Sequence, residues 1–465
     1  MALAITQHPL YTLNPVSQEV IFTVLDEDTV ADYYKVKYIA KVSIDTVDIN
    51  LATSTPVGTF KTTPNNSGAG IFDFRPIIES YVSSDNLAAL GSSFRATATS
   101  DIITHPLPLV DEFSKNETAV RYLKIKFEIE GSSTSTGNAT VQDTEDSVQY
   151  TLINGYLKHS DVLDRDATGN FGFDTEVLLL GGAESRFLTN APLTQYANAD
   201  DYGTISFMAT PLSGSIADTT ISYIRIRLFD EDGITVGSII QVDNIDANGG
   251  NTTWDSDTKN QLLHFGCFPA NLRNSSVTFA AVYTLAEHYT VQSYNVANTA
   301  ISDKLTIYLN CPTKKGFEPI RLQWLNQWGG WDYYTFTMKS TKTISTKGST
   351  YQQLSGTWND SIYSPSGYKG GKKAFRVNAT EKVVMNTDFV NEAEAEWFEE
   401  LINSPEVYML DGYSDTDEST SSLNQYVKPV RLTTSNFTRK TVANDKLIQY
   451  TFEVEKSKTL RTQSI

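Results

Sequence analysis

Cysteine is almost missing: Cys267 and Cys311 are the only two in 465 residues. So sparse a pair makes no disulfide framework, and neither thiol has the close neighbour that a thiolate zinc site needs. Stability has to come from packing. No run of 18 apolar residues occurs, which excludes a hydrophobic membrane-spanning helix. Met1 to Leu10 lacks the basic start and apolar stretch of a secretory signal, so a product made in a cytoplasm, and kept there or released by lysis, is expected. Bases are short too. Thirty-seven Lys and Arg against 55 Asp and Glu leave a net charge of −18, which argues against the whole chain being a nucleic-acid groove or an anchor on anionic lipid.

Chemical machinery is equally scarce. The five histidines, His8, His105, His159, His264 and His288, are scattered singly, with no i, i+4 pair to hold zinc. A Gly-Xaa-Ser-Xaa-Gly elbow and a Gly-Lys-Ser/Thr phosphate loop are both missing. Asp161, Asp164, Asp166, Gly169 and Asp174 loosely suggest a calcium loop, but the regular ligand spacing and closing Glu are lacking; an ordinary polar loop is the better reading. Asp230-Glu231-Asp232-Gly233 reads as a hairpin turn. No enzyme activity, metal or cofactor is expected.

What is present is alternation. Residues 19–25, 33–44, 121–129, 204–208, 221–229, 277–285, 304–309 and 447–454 alternate apolar and polar side chains and are rich in β-branched residues and tyrosine, so each is expected as a strand. Tyr150 to Leu157 and Leu178-Leu179-Leu180 add further strands. Turn signals such as residues 64–68, 247–250 and 364–367 separate them. Residues 17–130 and 203–310 echo one another, each opening on a short buried strand followed by a long tyrosine-rich one. The expected fold is mainly β: tandem immunoglobulin/fibronectin-like β-sandwiches at 1–130 and 203–310, a β-rich connecting region at 131–202, and a C-terminal α+β domain at 311–465. One clear helix is expected at about 391–403, where Asn391 and Glu394 form a capping box and Trp397, Phe398, Leu401 and Ile402 share a face.

Charge and aromatics are unevenly spread. Residues 1–310 hold 37 acids and 18 bases, whereas residues 311–465 hold 18 acids and 19 bases; the acidity belongs to the first two thirds. Trp324, Trp328, Trp331, Tyr333, Tyr334, Phe336 and Trp358 crowd around Gly329-Gly330, and this cluster reads as a domain core, a protein interface or a sugar platform. Lys369, Lys372, Lys373 and Arg376 gather on a glycine-containing hairpin. They are either a solvated turn or the electropositive counterpart of an acidic surface on another copy or a neighbour.

In combination, Gly70 to Tyr81 (GIFDFRPIIESY), Phe187 to Pro192 (FLTNAP) and Trp324 to Lys339 (WLNQWGGWDYYTFTMK) resemble virion structural proteins of tailed bacteriophages, notably those of phages infecting Bacteroidetes. The resemblance spans most of the chain in order. It implies a non-enzymatic tail, neck or baseplate component, assembled in the host cytoplasm and residing in the virion. Such a subunit would form a homo-oligomeric ring, contact other tail or neck proteins, and surround a DNA path whose acidic lining lets DNA pass without specific binding. The alternative is a receptor-binding, adhesin-like virion protein whose tryptophans recognise host surface glycan.

Overall fold

The computed structural model describes residues 2–84, 113–116, 119–163, 175–178, 186–209, 221–243, 261–295, 297–310, 317–357, 361–410, 427–434, 436–439, 448–458 and 460–461. It divides into two compact units, Met1–Asn310 with Asn326–Asp332, and Cys311–Leu325 with Tyr333–Ile465.

The first unit begins with β1 (Ala4–Gln7), β2 (Leu13–Pro15), β3 (Ile21–Leu25), β4 (Tyr34–Asp45), β5 (Gly58–Thr62) and β6 (Ala69–Asp73), followed by β7 (Phe113–Asn116), β8 (Val120–Ser132), β9 (Thr140–Asp146) and β10 (Tyr150–Ile153). These form a β1-β3-β6 sheet and a β2-β10-β8-β4-β5 sheet, with β9 also on β8. Alternation in β4 and β8 turns Tyr38, Ala40, Val42, Leu123, Ile125, Phe127 and Ile129 inward, where they meet Phe22, Val24 and Phe72. Such dense aromatic burial supplies much of the driving force. A second tyrosine, Tyr150, sits in the same core, and burial pushes its phenol up to about 12.

The second sandwich comprises β11 (Thr194–Asn198), β12 (Thr204–Ala209), β13 (Tyr223–Phe229), β14 (Thr235–Asp243), β15 (Gln261–Gly266), β16 (His288–Tyr294) and β17 (Leu305–Asn310). Its sheets are β11-β17-β16-β13-β14 and β12-β15-β7. The larger sheets of the two sandwiches match strand for strand. Even the outer strand corresponds, β2 running parallel to β10 as β11 runs parallel to β17. The echo in sequence is therefore a repeat of topology. One strand does not keep to it: β7, from the first repeat's stretch of sequence, pairs with β15 of the second sandwich.

Several expectations need correcting. Residues 277–285 are helical, not extended: α5 (Val277–Val282) is capped by the Ser276 side chain and runs into a 3₁₀ turn, Tyr283–Leu285. The apolar alternation there is misleading because Val277 and Leu285 are exposed, while Phe279 and Tyr283 stack one helical turn apart with ring centroids 6.0 Å from each other. Leu178 closes a 3₁₀ turn, Thr175–Leu178, rather than opening a strand; Leu179 and Leu180 lie outside the described residues. Within 447–454 the strand starts late, at Thr451, and Ile448 makes only an isolated bridge to Val390. Short helices also occur beyond the expected one, namely α1 (Glu27–Asp32), α2 (Arg75–Ile78), α3 (His159–Leu163) and α4 (Pro269–Ser275). The corresponding strands β6 and β15 are each followed by such a helix with proline in its first turn, where the missing N–H costs nothing.

The second unit is built on one mixed-length sheet: β18 (Ile320–Leu325), β19 (Trp331–Phe336), β20 (Thr341–Gln353), β21 (Gly371–Asn386), β22 (Val407–Leu410), β23 (Val427–Leu432), β24 (Thr451–Lys456) and β25 (Leu460–Arg461). Their order is β19-β18-β22-β23-β24-β21-β20, with β25 on β21. Helix α6 (Glu392–Asn403) carries the expected capping box, Asn391 accepting from the Glu394 N–H while the Glu394 carboxylate accepts from the Asn391 N–H. It lays Trp397 and Phe398 on Trp324 and Phe452, at 5.0 and 5.5 Å between centroids. Asn391→Ala is expected to cost about 1 kcal/mol of stability in urea denaturation.

Candidate functional site

Two of the stretches that looked unusual in sequence meet in the first unit. The segment Asn326–Asp332 between β18 and β19 belongs to that unit, and the FLTNAP stretch receives it. The Asn326 amide donates to the Leu188 carbonyl at 2.7 Å and to Asp332 at 3.0 Å. Trp328 donates its indole N–H to Asn190 at 3.0 Å, and Asn190 donates to Gln327 at 2.9 Å. Asp332 in turn accepts from the Thr189 hydroxyl at 2.7 Å. The side-chain Oδ1 of Asn326 accepts the N–H groups of both Trp328 and Gly330 and so fixes the bend.

The two glycines are there for space. Gly329 has φ +79°, and a Cβ on it would stand 2.5 Å from the Asn154 carbonyl oxygen; one on Gly330 would stand 2.8 Å from that of Leu188. Close to the bend, Ser206 shares a 2.8 Å hydrogen bond with His264 and accepts from the Trp331 N–H. Both members of this hydroxyl–imidazole pair are buried, so it is positioned as a packing contact, not offered to a substrate.

Trp328 and Trp331 are each 3 % exposed, and Trp324, Tyr333 and Phe336 are buried as well. Tyr334 is half-buried, accepts the Asp388 N–H and has its phenol pushed up by burial. Trp358 lies outside the described residues. The described aromatics therefore pack within their units, and none of the described tryptophans presents an open ring face. A cleft of about 410 Å³ adjoins Trp328, lined also by Arg186, Thr189, Asn190 and Asp303; burial pushes the Asp303 carboxyl up and Arg186 draws it partly back. Of the calcium-like group, Asp161 accepts from Lys158 and Gln327, while Asp164, Asp166, Gly169 and Asp174 lie outside the described residues. The Asp230–Gly233 turn joins β13 to β14, its Asp230 carboxylate accepting from Asp232 and Ile234.

The basic residues stand on a different object. Strand β20 pairs with β21 over its whole length, but β24 and β25 hold β21 only from Asn378 onward. Beyond that point the pair is a free two-stranded ribbon. No side chain of β20 is buried, and none of Gly371 to Asn378 is. The free part, residues 347–353 paired with 371–378, extends about 20 Å. Ion pairs tie down the root: Lys342–Glu318, Lys382–Glu453 and Lys456–Glu381, the second holding the Glu453 carboxyl below its usual range with help from the Thr433 hydroxyl.

The ribbon carries Lys347 at its base, opposite Asn378, and Arg376, Lys373, Lys372 and Lys369 further out. Among the described residues none of these five is in an ion pair; Lys373 donates to the Tyr368 carbonyl. A bulge at Phe375 shifts the register so that Ser349 faces Arg376 and Tyr351 faces Lys373. Paired residues point to one side, so Lys347, Tyr351, Lys373 and Arg376 share a face, and Phe375 joins it with its ring 6.4 Å from that of Tyr351. Lys372 points to the other. Sequence reading found four of the cations but missed the ribbon. Its signal is the run TKTISTKGSTYQQ, a strand-length stretch with one aliphatic residue.

Charge completes the picture. The first unit holds 38 acids and 18 bases, whereas residues 341–386 hold seven bases and two acids. The positive charge of the second unit is concentrated on its ribbon.

No protein-family model matches the chain, and no curated protein matches it. Similar solved structures include E. coli alpha-2-macroglobulin in its native conformation, 8% identical at a TM-score of 0.18 over 82% of this chain and 21% of that one. A point mutant of Salmonella alpha-2-macroglobulin is 10% identical at a TM-score of 0.19 over 82% of this chain and 22% of that one. The chain thus spans about a fifth of the length of these proteins, and overlaps so slight carry no argument about its activity or partners.

Proposed function

We propose that the chain is a structural subunit of a bacteriophage tail, neck or baseplate, which self-assembles into a ring around the DNA path and docks neighbouring virion proteins. One observation carries the reading: a projecting ribbon on which no side chain is buried, with cations that have no ion-pair partner among the described residues. A two-stranded ribbon is marginal in water by itself, and arms of this kind gain their stability when a partner covers them. The strongly acidic first unit supplies a complementary partner in every other copy. Contacts from arm to body are head-to-tail and close into rings when the rotation allows. In such a ring an acidic lining repels phosphate and lets DNA pass.

Nothing among the described residues favours the glycan-binding alternative, which needs an open tryptophan face. Lys369→Glu, Lys372→Glu and Lys373→Glu together are expected to lower the mass distribution in sedimentation from oligomer to monomer. Unchanged assembly of that triple variant would remove the basis of the reading.

A further inference from the structure

Given a ribbon that works as a docking arm, the next question is where it lands. The face of the ribbon that carries Lys347, Tyr351, Lys373, Phe375 and Arg376 combines cations with rings, and its Tyr351 and Arg376 are of types enriched in interface hot spots. Around it the tip exposes more apolar surface: Leu354 is 57 % exposed, Ile362 78 % and Tyr368 77 %. Its landing surface has to offer carboxylates and apolar side chains together.

The end of the second sandwich does so. The β13–β14 turn exposes Glu231 and Asp232, and Ile234 beside them is 63 % exposed. The Glu287 N–H donates to the Phe229 carbonyl at 2.8 Å, which brings the Tyr283–Leu285 turn alongside, with Leu285 68 % exposed. Isoleucine and leucine open beside carboxylates give this surface both of the chemistries that the ribbon calls for.

We propose that the ribbon of one copy docks on this surface of a second copy, Arg376 and Lys373 meeting Glu231, Asp232 and Glu287 while Tyr351, Phe375 and the tip cover Ile234 and Leu285. The proposal rests on the self-assembly reading above and adds the landing site. The acid-apolar surface and the basic-aromatic ribbon are complementary in both charge and hydrophobicity, and each copy carries one of each, so the contact propagates from copy to copy.

The test uses the full chain in two charge-reversed forms, Lys373→Glu with Arg376→Glu, and Glu231→Lys with Asp232→Lys. Asp230 is left alone because its carboxylate holds the turn. Each form by itself is expected to self-associate at least about tenfold more weakly than the wild type by sedimentation, with an unchanged melting curve. Mixed in equal amounts, they are expected to regain association, because every reversed ribbon then finds a reversed surface. As a check independent of charge, cysteines placed at Tyr351 and Ile234, with Cys311→Ser, are expected to be joined between copies by a short bismaleimide. Reversed forms that associate like the wild type, or a mixture that stays dissociated, would overturn this landing site while the wild type still assembled. A wild type that stays monomeric at every concentration would overturn the self-assembly reading itself.

Discussion

Excising residues 347–378 and joining Thr346 to Ala379 through Asn-Gly is expected to leave a folded chain that no longer self-associates. Thr346 faces Ala379 across the ribbon, so a two-residue turn with its left-handed residues closes the hairpin at a natural position. The excision removes no buried side chain among the described residues, since the first buried residue of β21 is Ala379. The root ion pairs and the β21–β24 pairing stay. Thermal melting is therefore expected to be unchanged, and sedimentation to show monomer alone. The effect on association is expected to be complete because the cut takes Lys347, Lys369, Lys372, Lys373 and Arg376 together with the exposed rings.

Gly329→Ala is expected to give the largest loss of stability of any single small substitution in the first unit. Two costs add at this position. A left-handed backbone costs an alanine about 1–2 kcal/mol, and forcing a methyl against a fixed carbonyl typically costs about 1–3 kcal/mol more. The sum, roughly 2–5 kcal/mol, is a large share of a domain's roughly 5–15 kcal/mol of net stability. Urea unfolding followed by tryptophan fluorescence reads it directly. A control, Gly367→Ala, stands in open space and is expected to change stability by less than about 0.5 kcal/mol.

Much of the β architecture was legible because alternation is a local signal. Strands β3, β4, β8, β12, β13 and β17 fall where apolar and polar residues alternate, and α6 falls where Asn391 and Glu394 announce a helix start. The same rule failed at Val277–Leu285, since period-two alternation says nothing about which alternate residues find a core; Ser276, a capping residue, was the competing signal. The basic hairpin was legible as a charge cluster, but the ribbon was not. Exposure on both faces is a tertiary fact, visible only once β24 and β25 are seen to hold β21 no further than Asn378. The seating of Asn326–Asp332 beside Thr189 and Asn190 joins residues more than 130 positions apart, and no periodicity reports such a contact. What the sequence did carry was a hint: Asn326, Gln327 and Asp332 are polar residues inside an aromatic run, and each turns out to hold a hydrogen bond in the bend.

Central to the account is an arm that joins one copy to the next, and the most direct measurement is an electron-microscopic image of the full-length chain assembled at high concentration. Closed rings are expected, with each ribbon lying across the first unit of its neighbour and none pointing into solvent. Single particles at every concentration, or assemblies in which the ribbons remain free, would contradict it.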